Sequence, residues 1–292
     1  MRWSLVAAVN DEHVLQTSLL RSPDLSEALD VVLKRGFASA GEAYNAGLCD
    51  CRGDIVVFAH QDVYFPPGWI HQLERQIEHV ERVGKDWGVI GVCGTDLNGS
   101  LRGYLYSTGL KGIYGEPLGQ PVAASSIDEM VIVIRRNSGL SFDSSLPGFH
   151  LYGTDICLQA RRLSMSNFVI SALCVHNSNG LKTLPWAFWR SYWSLRSKWR
   201  LYLPIVTTCT TIYPDVFRAG FEVSRGIRGT LSRSASPGRR VDDPASLYRA
   251  LGQMPDSERD DGSEGTRTGL RRGDSRQRAR TPASGSCHET VR

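Results

Sequence analysis

The chain has 292 residues, of which 41% are hydrophobic and 22% charged, with a formal net charge of +4. No run of ~18–20 residues is uninterruptedly apolar, which excludes a continuous membrane span, and the composition excludes collagen-like, coiled-coil and disulfide-scaffold classes. The charge is uneven: 20 Lys+Arg stand against 21 Asp+Glu over residues 1–224, and 14 Arg against 9 Asp+Glu over 225–292, so the body carries no nucleic-acid footprint.

The opening residues Met1 to Leu5 lack an apolar leader core and a small-residue cleavage site, so no secretory signal is expected. Seven scattered cysteines then read as reduced thiols of a cytoplasmic protein. Cys49-Asp50-Cys51 is followed by no second pair at zinc spacing.

Residues 1–95 alternate strand and helix patterns. Trp3 to Val9 is an apolar strand run, and Asn10 is placed to cap a helix with Asp11 and Glu12 in its first turn. Leu29 to Leu33 is a second strand, and Ser39 to Leu48 a short helix. Ile55 to Ala59 is apolar without alternation, the pattern of a strand buried on both faces. Pro66-Pro67 opens a helix with Trp69, Leu73, Ile77 and Val80 on one side, and Val89 to Cys93 is a further buried strand. This alternation predicts an α/β fold with a mostly parallel sheet covered on both faces.

Residues 96–218 are less regular. Strands are expected at Met130 to Ile134 and Phe168 to Val175, and a helix after Thr154. Residues 185–203 are crowded with aromatic and basic side chains, which leaves three readings open: core packing, a lid or acceptor contact, and a peripheral membrane contact. Residues 219–292 are rich in Arg, Ser, Gly, Asp and Pro without apolar periodicity, and read as a disordered basic tail. A short helix from Pro244 to Leu251 is the one exception expected there.

The chemistry centres on residues 56–69, VVFAHQDVYFPPGW. Ligands of open parallel sheets bind at the carboxyl ends of strands, where His60, Gln61 and Asp62 fall. Asp155 precedes a helix pattern, and a strand runs into His176. Two carboxylates and a histidine at three strand or loop ends can converge on one ligand. Asp128, just before a strand with Glu129, is a further candidate acid–base or acceptor group.

Several pieces in this order resemble one known family: Val9-Asn10-Asp11-Glu12, Tyr44-Asn45-Ala46-Gly47, Gly53 to Phe58, His60-Gln61-Asp62-Val63, Phe142-Asp143, Gly153-Thr154-Asp155 and Val175-His176-Asn177. Over roughly residues 1–210 the chain looks like a glycosyltransferase of the GT-A fold, close to the family-two group. The resemblance implies a Rossmann-like domain over 1–218, with a nucleotide-binding half at about 1–95 and an acceptor half at about 96–218. It implies an inverting enzyme moving sugar from a nucleoside-diphosphate sugar, UDP-sugars favoured, to a hydroxyl acceptor such as a saccharide or lipid-linked sugar.

In that family a D-x-D motif ends the central strand and its last aspartate binds a divalent ion. Here His60 stands in place of the first aspartate and Asp62 matches the last. His176 matches the histidine that completes the ion's site. Mn²⁺ or Mg²⁺ is the implied cofactor, with imidazole favouring Mn²⁺. Asp155 matches the family's base, with Thr154 in place of the preceding glutamate. Ala8, Asn10, Glu12, Asn45, His60 and Gln61 are the candidates around the nucleotide. A degenerate nucleotide- or sugar-binding member and a nucleotidyltransferase are the alternatives. The location implied is the cytoplasm, at the inner face of a membrane where a peripheral contact exists.

Overall fold

In a computed structural model of the chain, residues 1–83, 86–180, 184–228 and 238–253 are described. The strands are β1 (Trp3–Val9), β2 (Asp30–Arg35), β3 (Ile55–His60), β4 (Val63–Tyr64), β5 (Trp87–Gly91), β6 (Cys93–Asp96) and β7 (Leu101–Ser107). They continue with β8 (Gly112–Gly115), β9 (Val122–Ile127), β10 (Val131–Arg135), β11 (Ser166–Val169) and β12 (Val175–His176), and a separate hairpin pairs β13 (Ile205–Val206) with β14 (Thr211–Ile212). The helices are α1 (Glu12–Thr17), α2 (Ala40–Asp50), α3 (Trp69–Val83), α4 (Tyr152–Arg162), α5 (Trp186–Lys198), α6 (Val216–Arg228) and α7 (Pro244–Gln253).

One large sheet runs in the order β2-β1-β3-β10-β5-β11-β9-β6-β7-β12-β4, with β8 beside β7. Its first part is parallel as the alternation predicts: β1 lies between β2 and β3, and β11 lies parallel to β5. β10 enters antiparallel between β3 and β5, and β9, β6 and β7 continue antiparallel. The sheet as a whole is therefore mixed. The reason lies in the connections: β6 and β7 are joined by a short turn, and a short link cannot cross over to a parallel neighbour.

The unalternating run of β3 is buried on both faces. Val56 and Phe58 join a core with Tyr44 of α2, Ile156 of α4 and Tyr192 of α5. Ile55, Val57 and Ala59 join the opposite core, with Leu15 of α1 and Leu73, Ile77 and Val80 of α3. Each such side chain contributes roughly 1.5–3 kcal/mol when fully buried. Among the three readings of the aromatic segment, α5 packs into the core: Phe188, Trp189, Tyr192 and Leu195 are buried, while Trp186 is exposed.

Two local expectations shift. Asp11, not Asn10, caps α1, accepting from Val14 N at 3.1 Å. α4 begins at Tyr152 rather than after Thr154, because Leu151 adopts the left-handed conformation (φ 64°) and caps the helix without a side-chain bond. No Ser, Thr or Asp marks that start, so the sequence gives no cap signal there.

The region read as a disordered tail also differs. α6 runs through the expected boundary at 218, and residues 238–253 lie against the body. Residues 229–237 and 254–292 of that tail lie outside the described residues. No helix among the described residues is long and apolar enough to cross a membrane.

Candidate metal and nucleotide site

β3 carries His60 to the carboxyl end of the parallel strands, one pairing step from Ala8 on β1. The chain turns through Gln61 and Asp62 and enters β4, which pairs antiparallel with β12 so that Val63 lies opposite His176. Asn177 N extends the ladder by donating to Asp62 O at 2.8 Å. That short ladder closes the 113-residue gap between Asp62 and His176.

One ligand atom each from His60, Asp62 and His176 lies within 4.8 Å of the others, the one such group of His, Cys, Asp or Glu among the described residues. Asp62 Oδ1 faces both rings, 3.5 Å from His176 Nε2 and 4.0 Å from His60 Nδ1. Tyr152 Oη donates to Glu129 O at 3.1 Å and lies 2.9 Å from His60 Nε2. With its one proton given to Glu129, Tyr152 accepts from His60 Nε2–H, which leaves the Nδ1 lone pair on the side of Asp62. Ligating histidines are oriented by such a bond on their other nitrogen. Two imidazoles and a carboxylate within that span fit a divalent transition ion such as Mn²⁺ better than Mg²⁺, which favours all-oxygen ligation.

The electrostatics agree with a cationic ligand. Burial pushes Asp62 up, yet His176, His60 and Arg240 outweigh it and hold the carboxyl well below the usual range. Burial lowers His60. Burial also lowers His176, but Asp62 overcomes it and raises that ring above its ordinary value. The negative charge of Asp128 favours the charged form of both rings.

Asp128 accepts from Thr208 Oγ1 at 2.9 Å and Met130 N at 3.2 Å, and is partly accessible. Beside it, burial and the Asp128 charge raise Glu129 to about 8, against partial relief from the N–H groups of Leu151 and Gly153. Gly153 permits this crossing: a Cβ there would lie 2.5 Å from Ile127 O.

Several sequence candidates have other partners. Asp155 is 1% exposed, and its carboxylate takes Gln159 Nε2 at 2.7 Å, Trp199 Nε1 at 2.7 Å and Lys198 Nζ at 2.7 Å. This differs from the expected base: three donors engage both oxygens of a carboxylate shut off from solvent, and they tie α4 to the end of α5. Asn45 is likewise structural, its amide bonded both ways to the backbone of Phe142 at 2.7 and 2.9 Å. Glu12 forms an exposed ion pair with Arg35, one contact at 3.2 Å. Gln61 Oε1 accepts from the N–H groups of Asn10 and Asp11 at 3.0 and 3.1 Å, binding the end of β1 to the end of β3.

Arg240 is a residue that the sequence reading missed. Its terminal nitrogen lies 3.0 Å from Asp62 Oδ2. The signal was hidden because it sits in a stretch without apolar periodicity, and it is held by hydrogen bonds instead.

No protein-family model matches the chain. It is similar to the protein "ATP synthase subunits region ORF 6" of Fuscovulum blasticum, 28% identical over 156 residues that cover 51% of this chain and 62% of that protein. The match thus spans less than two thirds of the relative's own length. Similar solved structures include GalNAc-T7 with UDP, GalNAc and Mn²⁺ (11% identity, 60% of this chain, 43% of that chain, TM-score 0.41). Another is S. aureus TarS residues 1–349 (13% identity, 80% of this chain, 73% of that chain, TM-score 0.39), also solved with UDP.

Proposed function

We propose that the chain is a metal-dependent inverting glycosyltransferase that moves a sugar from a nucleoside-diphosphate sugar, a UDP-sugar first, to a hydroxyl acceptor. The observation that carries this reading is the convergence of His60, Asp62 and His176 at the carboxyl end of the parallel strands, with Asp128 in electrostatic reach. His60 Nδ1, Asp62 Oδ1 and His176 Nε2 would hold the ion. The chemistry it supplies is neutralisation of charge on the departing diphosphate.

The protein's own step is proton transfer. Asp128 takes the proton of the acceptor hydroxyl as that oxygen attacks the anomeric carbon and the bond from that carbon to the diphosphate oxygen breaks. A single displacement inverts the anomeric centre, and the proton on Asp128 returns to water. Glu129, held largely protonated below about pH 8, keeps a second negative charge away from the attacking oxygen. The end of β1 at Ala8 and Asn10, tied to Gln61, forms the rim on which we place the nucleoside.

A thermal-shift panel of UDP, GDP and TDP with and without Mn²⁺ tests the binding half of this reading. A matching diphosphate at 100 times its Kd adds about 2.7 kcal/mol, and only with Mn²⁺. Equal shifts with and without the ion contradict the metal-bound diphosphate.

Glu129 gives a second check. Its folded pKa of about 8 exceeds the ordinary 4.5, so the stability it contributes is full below 4.5 and is lost as pH rises through 8. Glu129→Gln removes the titration. Its melting temperature should fall less than the wild type's between pH 5 and 8; parallel curves would show that Glu129 ionises normally.

A further inference from the structure

The three metal-facing groups lie on β3, the following turn and β12, yet the second oxygen of Asp62 is taken by a residue 178 positions away. Arg240 belongs to a strap, residues 238–253, that crosses the end of β12. The strap is seated by specific bonds. Asn177, 1% exposed, donates to Val241 O at 2.8 Å and accepts from Val241 N at 2.8 Å. Arg240 N donates to Asn179 Oδ1 at 3.1 Å, and Gly238 bonds Gly109 O at 3.0 Å and Gly180 N at 2.9 Å. Only glycine fits the last position, since a Cβ would lie 1.7 Å from Thr108 O.

The guanidinium is therefore placed rather than draped. Its Nε donates to Asn177 O at 3.0 Å and one terminal nitrogen donates to Asp62 Oδ2 at 3.0 Å. Among the described residues its other terminal nitrogen has no partner, and the side chain is 33% exposed. Asp62 thus presents two edges: Oδ1 to the two imidazoles, and Oδ2 to a fixed positive charge.

We infer that Arg240 is a diphosphate-binding residue of this site, supplied by the C-terminal strap; the inference rests on the nucleotide-sugar reading above. The carboxylate of Asp62 and the guanidinium of Arg240 cancel, so the cluster is a weak trap for a bare cation. With a divalent ion bound, the ion, Arg240 and Asp62 together carry a net two positive charges, which suit the two or three negative charges of a diphosphate. The free donors of a planar guanidinium match phosphate oxygens in bidentate fashion. The strap makes tight ion binding conditional on the diphosphate and supplies part of its seat.

The test is calorimetric titration of the full chain with Mn²⁺ alone, then with inorganic pyrophosphate at saturating Mn²⁺. Arg240→Gln should tighten Mn²⁺ and weaken pyrophosphate, each by about tenfold, because one fixed positive charge repels the first and attracts the second. A merely structural role moves both affinities the same way. Arg240→Lys keeps the charge but not the fork, so it should restore the Mn²⁺ affinity to within about threefold of wild type and recover only part of the pyrophosphate affinity. Gly238→Ala, which unseats the strap without changing charge, should reproduce the Arg240→Gln pattern. Both affinities weakened, both strengthened or both unchanged in Arg240→Gln would overturn the assignment. Opposite shifts in a protein that transfers no sugar would leave it standing and sink the glycosyltransferase reading. Transfer without opposite shifts would do the reverse.

Discussion

Asp128→Asn is expected to slow sugar transfer by about 10²–10⁴ while leaving Mn²⁺ and UDP affinities within about threefold. The negative charge of this carboxylate reaches His60 and His176, and the group is partly accessible. Asparagine is nearly isosteric: its oxygen can keep the bond from Met130 N while its NH₂ donates to the Thr208 hydroxyl, which accepts as well as donates, so the fold survives. What is lost is the ability to take a proton. The check is initial-rate transfer with a folded variant of unchanged melting temperature. A near-normal rate would remove Asp128 from the chemistry and leave Glu129 as the carboxyl to test.

Asp155→Asn should behave in the opposite way: a protein that is less stable and, per folded molecule, nearly as active. An amide in that buried position must turn an NH₂ toward one of Lys198, Trp199 or Gln159, all of which donate. Leaving a buried donor without an acceptor costs about 1–3 kcal/mol, and weakening the ion pair adds to it. Lys198 retains Asp143 at 2.6 Å and is 30% exposed, which keeps the total near about 2–4 kcal/mol. At roughly 2–4 °C per kcal/mol for a body of this size, the melting temperature should fall by about 4–16 °C. An unchanged melting temperature with transfer down by ~10² or more would return the role of base to Asp155.

These two residues show what was legible in the sequence. The unalternating Ile55 to Ala59 run revealed a strand buried on both faces, and with it the place where His60 and Asp62 would stand. The Trp69, Leu73, Ile77, Val80 spacing revealed the helix behind it. His176 was legible because a strand ran into it, although only the β4–β12 register explains why it meets Asp62. Asp155 was misleading because its partners, Lys198 and Trp199, lie more than 40 positions away and no local pattern announces them. Asn45 was misread for the same reason, its partner being the backbone of Phe142.

Arg240 was invisible for a different reason. Apolar periodicity detects segments that fold by burying surface, and residues 238–243 dock by polar bonds to Asn177, Asn179 and Asp62. A composition that cannot build a core can still supply one arm to a site that other elements have built. Trimming the chain near residue 220 is therefore expected to change the site, not merely to shorten a tail.

Single-turnover UDP release decides whether the chain performs metal-dependent transfer from a nucleotide-sugar. Full-length protein is mixed with a panel of UDP-sugars in Mn²⁺ or in chelator, alongside Asp62→Asn. Release is expected with at least one donor, abolished by chelator and slowed by about 10² or more in Asp62→Asn, with the inverted anomer as product. UDP that binds while no UDP-sugar is ever split, or release that neither chelator nor Asp62→Asn reduces, would rule it out.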